Sequence, residues 1–405
     1  MRILNSVSKG AAFSCLAVLL AACQPGSLEF PTVSQNGTGQ QPSTTQQQTP
    51  ALSANVSGER VGKGTVRVAL LVPKSAAGGG GIAGTQIANA AKLAMRDFGN
   101  SGVELVIKDT QGQAASAQAL ASEALREGAS LVLGPLFSAN VSSASAITLP
   151  AGKSMIAFSS DINRARAGVY LLSFAPQDDI QRTLVYGYSA GATNIIAFLP
   201  ETKYGSLVEQ EMRSVAAQTG LNISAVARYK PDANSIVSAA QDVALAVNSA
   251  TGIYIPEGGQ IPSLVLKALK RSGVSIEGKQ ILGSGQWESV KESDPVLEGA
   301  IFAGAEKSNF QSFAARYRQS YGNEPTVTAA LGYDAVSLCA ELMRHSRTQP
   351  FSRQAIESAS GFNGASGLFR FRSNGRLQRG LVVNQIRSGQ ITVVSPAPRS
   401  FGPSG

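Results

Sequence analysis

Hydroxyl-bearing residues follow two short apolar runs in this sequence and are suited to binding a charged ligand. One group follows the run that ends at Leu133, and the other follows the run that ends at Phe158. A serine at a helix start can cap the helix or, with free backbone amides, hold a carboxylate against the helix dipole. The loop could bind an anion, whereas simple capping of the helix by Ser138 is the favoured interpretation. The candidate residues are Ser138, Ala139, Asn140, Ser159 and Ser160.

Alternating strand and helix patterns must position these loops. Val66–Val72 is a short β-branched run, and the segment from Ile82 to Phe98 repeats apolar residues at helical spacing. Similar pairs of segments continue to about residue 282, which predicts parallel sheets covered by helices on both faces. Roughly 330 residues exceed a comfortable single core, so the predicted fold is α/β with two lobes. Antiparallel strands are expected near the carboxyl terminus.

Loops after later strands would complete a binding cleft, because ligands of open α/β sheets bind beyond the carboxyl ends of the strands. The relevant loops begin at Pro200, Pro256 and Gly283. Trp287, the only tryptophan, is predicted to be either a lid over the cleft or ordinary packing. The candidate residues in these loops are Tyr204, Glu257, Gln286 and Trp287.

Signatures of catalytic, metal and cofactor sites are missing from the sequence. The single histidine, His345, cannot build a multi-histidine metal site, and no G-x-S-x-G, G-x-x-x-x-G-K-[ST] or H-E-x-x-H motif is present. Cys339 lies in an apolar helical pattern typical of a buried side chain. We therefore predict a protein that is not an enzyme, with no catalytic residue, no metal and no cofactor.

The positive charge does not point to nucleic acid. The formal net charge is +9, and removing Arg2 and Lys9 with the first 22 residues leaves +7. Nucleic-acid binders cluster basic residues with aromatic ones, whereas here the charge is diluted over a large surface. No nucleic-acid partner is expected.

The amino terminus has the pattern of an export signal. Basic residues precede an apolar span of about a dozen residues, which is shorter than the roughly 20 needed to cross a bilayer. Leu20-Ala21-Ala22-Cys23 resembles the bacterial lipobox, in which the cysteine is acylated and becomes the first residue. We expect a signal peptide over 1–22 and a lipid anchor at Cys23; an ordinary signal peptide with a chance cysteine is the alternative. Several acyl chains would make the attachment to the membrane stable.

The anchor and the segment after it predict a tethered envelope protein. Residue 24 is Gln rather than Asp, which favours the outer membrane, with the protein facing the periplasm. Residues 23–63 are rich in Gln, Thr, Ser, Pro and Gly, so they are expected to form a disordered linker. The carboxyl-terminal residues 397–405 are expected to be a disordered tail.

The order of motifs resembles the type I periplasmic binding proteins, the class that includes leucine-binding proteins. The resemblance covers roughly residues 65–395 and implies two lobes joined by three hinge strands. It places the crossings near Leu172–Pro176, Ile301–Gly304 and Gly361–Gly364. Lobe 1 would contain residues 64–174 and 304–362, and lobe 2 would contain residues 175–303 and 363–396. The motifs are Val106–Thr110, Leu131–Leu136, Tyr204-Gly205, Gly332–Val336, Gly367–Phe371 and Asn374-Gly375.

Within this class, Gly134–Val141 together with the lipobox and linker is most similar to the penicillin-binding protein activator lipoproteins. That similarity implies a non-enzymatic regulator of peptidoglycan synthesis whose partner is a peptidoglycan synthase. The best-known members also carry an amino-terminal helical-repeat domain; here only the linker is expected at that place, which speaks against any role that depends on those repeats.

The alternative function is the substrate-binding lipoprotein of an amino-acid ABC transporter of the branched-chain type, with a permease as partner. In leucine-type binders, hydroxyls like those of Ser138 and Ser159 hold the ligand's backbone groups, and an acid of the second lobe binds its ammonium group. Glu201 and Glu257 are the candidate acids, whereas Gly283–Trp287, where many amino-acid binders carry one, has none before Glu288. Sensing or binding of a cell-wall fragment is a third, remoter possibility.

Overall fold

The computed structural model of the chain describes Leu52 and residues 55–401. The predicted signal peptide, Cys23 and most of the predicted linker lie outside the described residues, as do residues 402–405. Within these described residues, sixteen strands and eleven α-helices form a mixed α/β fold, as predicted. Among the described helices, none combines the length and the apolar character that a membrane span requires.

The elements are numbered here in chain order. The strands are β1 (Glu59–Val61), β2 (Val66–Val72), β3 (Val103–Asp109), β4 (Ala129–Leu133), β5 (Met155–Ala157), β6 (Val169–Leu171), β7 (Asn194–Pro200), β8 (Asn222–Tyr229), β9 (Gly252–Tyr254), β10 (Gln280–Leu282), β11 (Ile301–Gly304), β12 (Phe362–Gly364), β13 (Gly367–Phe371), β14 (Leu377–Arg379), β15 (Val382–Arg387) and β16 (Gln390–Ser395). The helices are α1 (Gly79–Asp97), α2 (Ala114–Arg126), α3 (Ser138–Thr148), α4 (Pro176–Ser189), α5 (Lys203–Thr219), α6 (Ala233–Asp242), α7 (Ala244–Ser249), α8 (Ile261–Arg271), α9 (Lys307–Tyr321), α10 (Ala330–His345) and α11 (Arg353–Ile356).

Two large sheets organise the molecule. The first has the strand order β1-β3-β2-β4-β5-β6, and the second has the order β16-β15-β11-β10-β9-β7-β8. Strands β2 to β6 are parallel to one another, and so are β7 to β11, whereas β1, β15 and β16 run antiparallel at the edges. The remaining strands, β12 to β14, form a small antiparallel sheet.

Apolar side chains on both faces explain why the sheets are buried on both sides. In β2, Leu70 packs into one apolar cluster and its neighbour Leu71 into another on the opposite face. In β7, Phe198 and Leu199 likewise belong to different clusters. Because strand side chains alternate between faces, continuous apolar runs require helices on both sides. This arrangement agrees with the prediction that helices cover both faces of each parallel sheet.

The folded part begins earlier than the sequence predicts. Residues 59–61, inside the expected linker 23–63, form β1 and pair antiparallel with β3. Glu104 of β3 is almost fully buried and accepts hydrogen bonds from Arg60 of β1 and Arg67 of β2. A buried carboxylate needs such partners. The linker prediction is wrong for residues 59–61. The polar composition of this segment gives no information about a partner strand that lies more than 40 residues away in the sequence.

The last crossing between the lobes and the end of the tail also differ from expectation. Phe369 and Phe371 of β13 pack into the first-sheet core, and the chain joins the second sheet only at β15. The crossing therefore follows Arg379 and does not lie at 361–364. Phe401, in the predicted tail, lies with its ring 4.7 Å from the Arg370 guanidinium.

Candidate functional site

A groove of about 480 Å³ lies where the three connections between the large sheets meet. Its walls come from each connection and from loops that follow strands of the second sheet. Val327, from the turn before α10, is half exposed there (52 %). The lining residues are Phe174, Ala175, Pro176, Asp178, Asp179, Tyr204, Gly285, Gln286, Glu288, Gly304, Ala305, Val327, Arg379 and Leu381.

Tyr204 and Gln286 are the two sequence-predicted residues that line this groove. Tyr204 lies in the first turn of α5, and its hydroxyl is 3.4 Å from both the Ser284 hydroxyl and the Pro256 carbonyl oxygen. Burial raises the pKa of Tyr204 to about 12, so its hydroxyl stays protonated at neutral pH. Gln286 is exposed in the loop after β10. Both side chains offer polar groups to the groove.

Glu257 and Trp287 are close in sequence to the groove loops but do not line it. The Glu257 carboxylate accepts a hydrogen bond from the hydroxyl of buried Tyr229. Trp287 is fully buried (0 % exposed), packs against Phe302 and donates its indole N–H to the carbonyl oxygen of Ile255 at 2.7 Å. Of the two predicted roles, Trp287 has the packing role in this structure.

Two neighbouring acids that the sequence analysis did not single out, Asp178 and Asp179, lie at the start of α4 and line the groove. Asp179 Oδ2 accepts the Gly285 N–H at 2.6 Å, while its Oδ1 is buried without a partner. Burial raises the pKa of Asp178 to about 7, with Arg379 and Arg372 opposing the shift. Burial likewise raises the pKa of Asp179 to about 7. Their only sequence signal is position, since acids at a helix start usually indicate favourable dipole interactions.

A buried polar network stands behind the groove. Arg379, only 7 % exposed, stacks on Phe174 with its guanidinium 4.2 Å from the ring and donates to the Ser173 carbonyl and the Ser366 hydroxyl. Fully buried Asp334 of α10 accepts hydrogen bonds from the Ala365 N–H and from Ser366. Burial raises the pKa of Asp334 to about 6. The network ties α10 and the small sheet to the first connection.

Ser138 does not cap α3, contrary to the capping interpretation. It is the first helical residue, and Phe137 precedes it at the cap position without a side-chain bond. The Ser138 hydroxyl donates to Asp161 Oδ2 at 2.5 Å and accepts from Arg164 Nε at 2.9 Å. The carboxylate of Asp161 therefore holds the hydroxyl that was predicted to face the ligand.

The other first-lobe candidates surround this Ser138–Asp161 pair and do not line the groove. Ser159 is buried, and its hydroxyl accepts the Asp161 N–H at 3.2 Å. Asn140 is 1 % exposed with its Nδ2 unpartnered, while Ala139 and Ser160 are exposed. The structure thus separates the predicted site into a first-lobe cluster and the groove-lining pair, Tyr204 and Gln286. Within residues 55–401, no group of three or more His, Cys, Asp or Glu side chains is arranged to hold a metal ion.

Comparison with known proteins agrees with this architecture. A sequence model of the family described as periplasmic binding protein matches residues 65–390. No curated protein sequence matches the chain at a significant level.

Solved structures share the fold. A Rhodospirillum rubrum protein assigned by its name to a branched-chain amino acid ABC transporter is 20% identical, with a TM-score of 0.68 over 81% of this chain and 99% of that chain. A Burkholderia xenovorans branched-chain amino acid ABC transporter periplasmic ligand-binding protein is 20% identical, with a TM-score of 0.60 over 84% and 96%. A Thermotoga maritima leucine binding protein is 23% identical, with a TM-score of 0.51 over 82% and 98%. At these identities, the likeness confirms the two-lobed fold and no more.

Proposed function

Because the chain belongs to the periplasmic binding protein family, in its leucine-binding-protein class, we propose that it is a non-enzymatic solute-binding protein of an ABC importer. Its ligand would be an amino acid, and its partner would be the importer's permease. The names of the Rhodospirillum and Burkholderia structures favour this proposal over activation of a peptidoglycan synthase, which neither they nor the family model supports. The alternative from the sequence analysis therefore becomes our main proposal.

The groove between the two large sheets carries the proposal. Its volume of about 480 Å³ lies in the range of small-molecule sites, roughly 300–1,000 Å³. Phe174, Val327 and Leu381 supply apolar surface, while Tyr204 and Asp179 supply polar groups. An apolar wall with a few polar groups suits an aliphatic amino acid, whose side chain avoids water and whose backbone groups are charged. No residue of the groove has to react for this function.

The lipid anchor remains part of the proposal. Cys23 would attach the protein to the cell envelope, and the linker would let the folded part work away from its membrane. An outer-membrane anchor would serve an importer only if the linker reaches the inner-membrane permease, so importer function favours the inner membrane. Labelling cells with radioactive palmitate tests this step, since the wild-type protein should incorporate the label and a Cys23→Ser variant should not.

Calorimetric titration of the purified protein with each of the twenty amino acids tests the ligand. We expect at least one aliphatic amino acid to bind with a dissociation constant in the micromolar range, on the order of −8 kcal/mol. Absence of binding by all twenty at about 1 mM would overturn the proposal. Cross-linking in cells then tests the partner, because capture of a penicillin-binding protein instead of a permease would restore the activator function.

A further inference from the structure

We infer that one edge of the first large sheet is a docking surface for the anionic headgroups of a phospholipid membrane. The strand β6 forms this edge, and exposed basic side chains surround it. None of them lines the groove, so the inference goes beyond the proposed function and holds whether or not an amino acid binds. We call this surface the basic edge, and its residues are Lys153, Arg166, Arg353, Arg372 and Arg376.

The start of β6 brings Lys153 and Arg353 together. Gly168 precedes the strand, and its carbonyl oxygen accepts the N–H of Met155, two residues after Lys153, at 2.9 Å. A Cβ at residue 168 would lie 3.3 Å from Nη2 of Arg353. These two contacts place both basic residues beside Gly168.

Arg166 and the turn between β13 and β14 continue the basic edge. The backbone of Arg166 pairs with that of Val169, the first residue of β6. A Cβ at Gly375 of the turn would lie 2.6 Å from the backbone N and O of Arg166, so glycine lets the turn pack directly against this backbone. Arg372 and Arg376 flank Gly375 in the sequence. The basic edge is thus assembled from separate parts of the chain, and no run of basic residues indicates it.

Acidic side chains leave much of this positive charge uncompensated. None of the five basic side chains forms an ion pair with a described residue. Of the acids beside them, Asp161 is paired with Arg164, and Glu357 accepts the Tyr170 hydroxyl at 2.5 Å. Glu211 of the second lobe faces the two edge arginines of the turn, whose charges lower its pKa against the effect of burial. The surface as a whole therefore remains positive.

The residue types of the basic edge fit phosphate groups. Four of its five residues are arginines, and a planar guanidinium binds two phosphate oxygens with parallel hydrogen bonds. The aromatic side chains of β6 and β13, Tyr170, Phe369 and Phe371, are buried, so no nucleic-acid base can stack on them. Arginines without these stacking partners favour lipid headgroups over nucleic acid.

The spread of the charges favours a membrane over an acidic protein. The basic residues extend from the loop before β5 to the turn beside Leu171, the last residue of β6. A protein partner needs fixed acids that match such a spread, whereas lipids diffuse within the bilayer and gather at each cation. Every basic residue near an anionic surface then strengthens binding by up to about fivefold.

The lipid anchor proposed at Cys23 would bring the basic edge within reach of a bilayer. The described chain starts near β1, which is the opposite edge of the same six-stranded sheet. Strands about 4.8 Å apart make that sheet roughly 24 Å wide. A flexible chain with the length of residues 24–51 has an r.m.s. span of roughly 30 Å, so it lets the far edge turn towards the membrane. Tethering then raises the effective concentration of the lipid surface.

Vesicle co-sedimentation tests the inference with the chain from residue 23 carrying Cys23→Ser, so that no acyl chain contributes. The probes are vesicles of phosphatidylcholine alone and of equal parts phosphatidylcholine and phosphatidylglycerol. We expect binding to the mixed vesicles only. Binding should be lost as salt rises from about 0.1 M to about 1 M, because the Debye length falls from about 10 Å to about 3 Å. The triple variant Lys153→Gln/Arg166→Gln/Arg353→Gln should bind at least about tenfold more weakly.

The matched control removes the same charge from the second lobe. Lys230→Gln/Lys270→Gln/Arg271→Gln changes three exposed residues, one directly after β8 and two at the end of α8. Its binding should stay within about twofold of that of the Cys23→Ser protein. Equal weakening in the two triple variants would mean that binding follows net charge, which would overturn the inference. Absence of binding to the mixed vesicles would also overturn it and would leave an acidic protein as the partner to seek.

A fluorescent label covers the case in which the edge variant does not fold, as judged by circular dichroism, because labelling removes no charge. Ala167→Cys places an exposed thiol next to Arg166, whereas the native Cys339 is buried. A dye at residue 167 should be shielded from acrylamide when the protein binds the mixed vesicles. A dye at Asn248→Cys, an exposed position of α7 in the second lobe, should remain accessible. Equal shielding at the two positions, or none at residue 167, would contradict the inference.

Discussion

Existing hydrogen bonds determine, at the residue scale, which candidate side chains can meet a ligand. The Ser138 hydroxyl is hydrogen-bonded to Asp161, and the Trp287 indole N–H to the Ile255 carbonyl oxygen. Protein partners therefore already satisfy the polar groups that made both residues candidates for binding a ligand. Tyr204 differs, because its hydroxyl makes long contacts of 3.4 Å with the Ser284 hydroxyl and the Pro256 carbonyl oxygen and lines the groove. Residue type alone therefore selects candidates that line the groove, Tyr204 and Gln286, together with candidates that do not.

A pair of substitutions separates packing from binding. Trp287→Phe removes a buried donor and leaves the Ile255 carbonyl unpaired, which should lower the free energy of unfolding by about 2 kcal/mol. Its affinity for an amino acid should stay within about twofold of the wild type, a change under about 0.5 kcal/mol. Tyr204→Phe should show the reverse, with weaker binding and a stability loss below about 1 kcal/mol. Urea denaturation and calorimetry measure both quantities. A stable Trp287→Phe variant with impaired binding would instead identify Trp287 as a lid.

The start of α4 is the element with the most unusual electrostatics. Proline begins the helix and two acids follow it, a normal pattern that predicts exposed residues stabilised by the helix dipole. In the structure the helix start is packed between the two lobes, so both acids are partly buried and their pKa values rise to about 7. The helix was predictable from its sequence, and the burial of its first turn was not.

This burial predicts how stability depends on pH. Asp178 and Asp179 ionise near pH 4 in the unfolded chain and near pH 7 in the folded one, so the folded state binds more protons between these values. The free energy of unfolding should therefore decrease as pH rises from 5 to 8, by about 1–3 kcal/mol. Carboxylates with lowered pKa values, such as Glu104 and Glu209, are already ionised in both states over this range.

Urea denaturation at several pH values measures the slope. Asp178→Asn keeps an oxygen that can accept the Arg379 N–H but cannot ionise, so its slope should be smaller than that of the wild type. A wild-type stability that rises from pH 5 to 8, or an unchanged slope in Asp178→Asn, would show that these acids are not buried as described.

The sequence predicts helices and strands correctly where the hydrophobic periodicity is strong, and it misses them where a strand pairs with a segment far away in the sequence. The apolar run of β2 and the helical spacing of α1 are readable locally, because each pattern matches one geometry. The sequence predicts a linker where β1 lies, because a three-residue strand is too short to show a period of its own. It also places most of the small sheet β12–β14 in the second lobe, although the phenylalanines of this sheet pack against the core of the first sheet.

At the scale of the whole molecule, Arg379 links parts that are distant in sequence. It joins the first connection at Ser173 and Phe174 to Ser366 of the small sheet, and Ser366 in turn donates to Asp334 of α10. Its positive charge also lowers the pKa of Asp178 and of Asp334, and so offsets part of the increase that burial causes. A single buried cation thus balances two acids, the partly buried Asp178 at the start of α4 and the buried Asp334 on α10.

Replacing this cation should destabilise the whole fold. Arg379→Met leaves the two acids without a compensating charge, so we expect a loss of about 3 kcal/mol at pH 8 and a smaller loss at pH 5, where more of each acid is protonated. Arg372→Ala is the control, because Arg372 is exposed and its charge is screened by water. Denaturant unfolding measures both variants. Equal, small losses in the two would refute the role of Arg379 as the central cation.

The sequence by itself determined the alternating strands and helices, the α/β class and the two-lobed family architecture, because these follow from local periodicity and from the order of motifs. Only the tertiary structure decided which side chains face the groove. Asp179 meets Gly285 across 106 positions, and Arg379 reaches Ser173 across 206. Such contacts depend on how separate elements pack, and packing sets burial, hydrogen-bond partners and pKa values that no local pattern records.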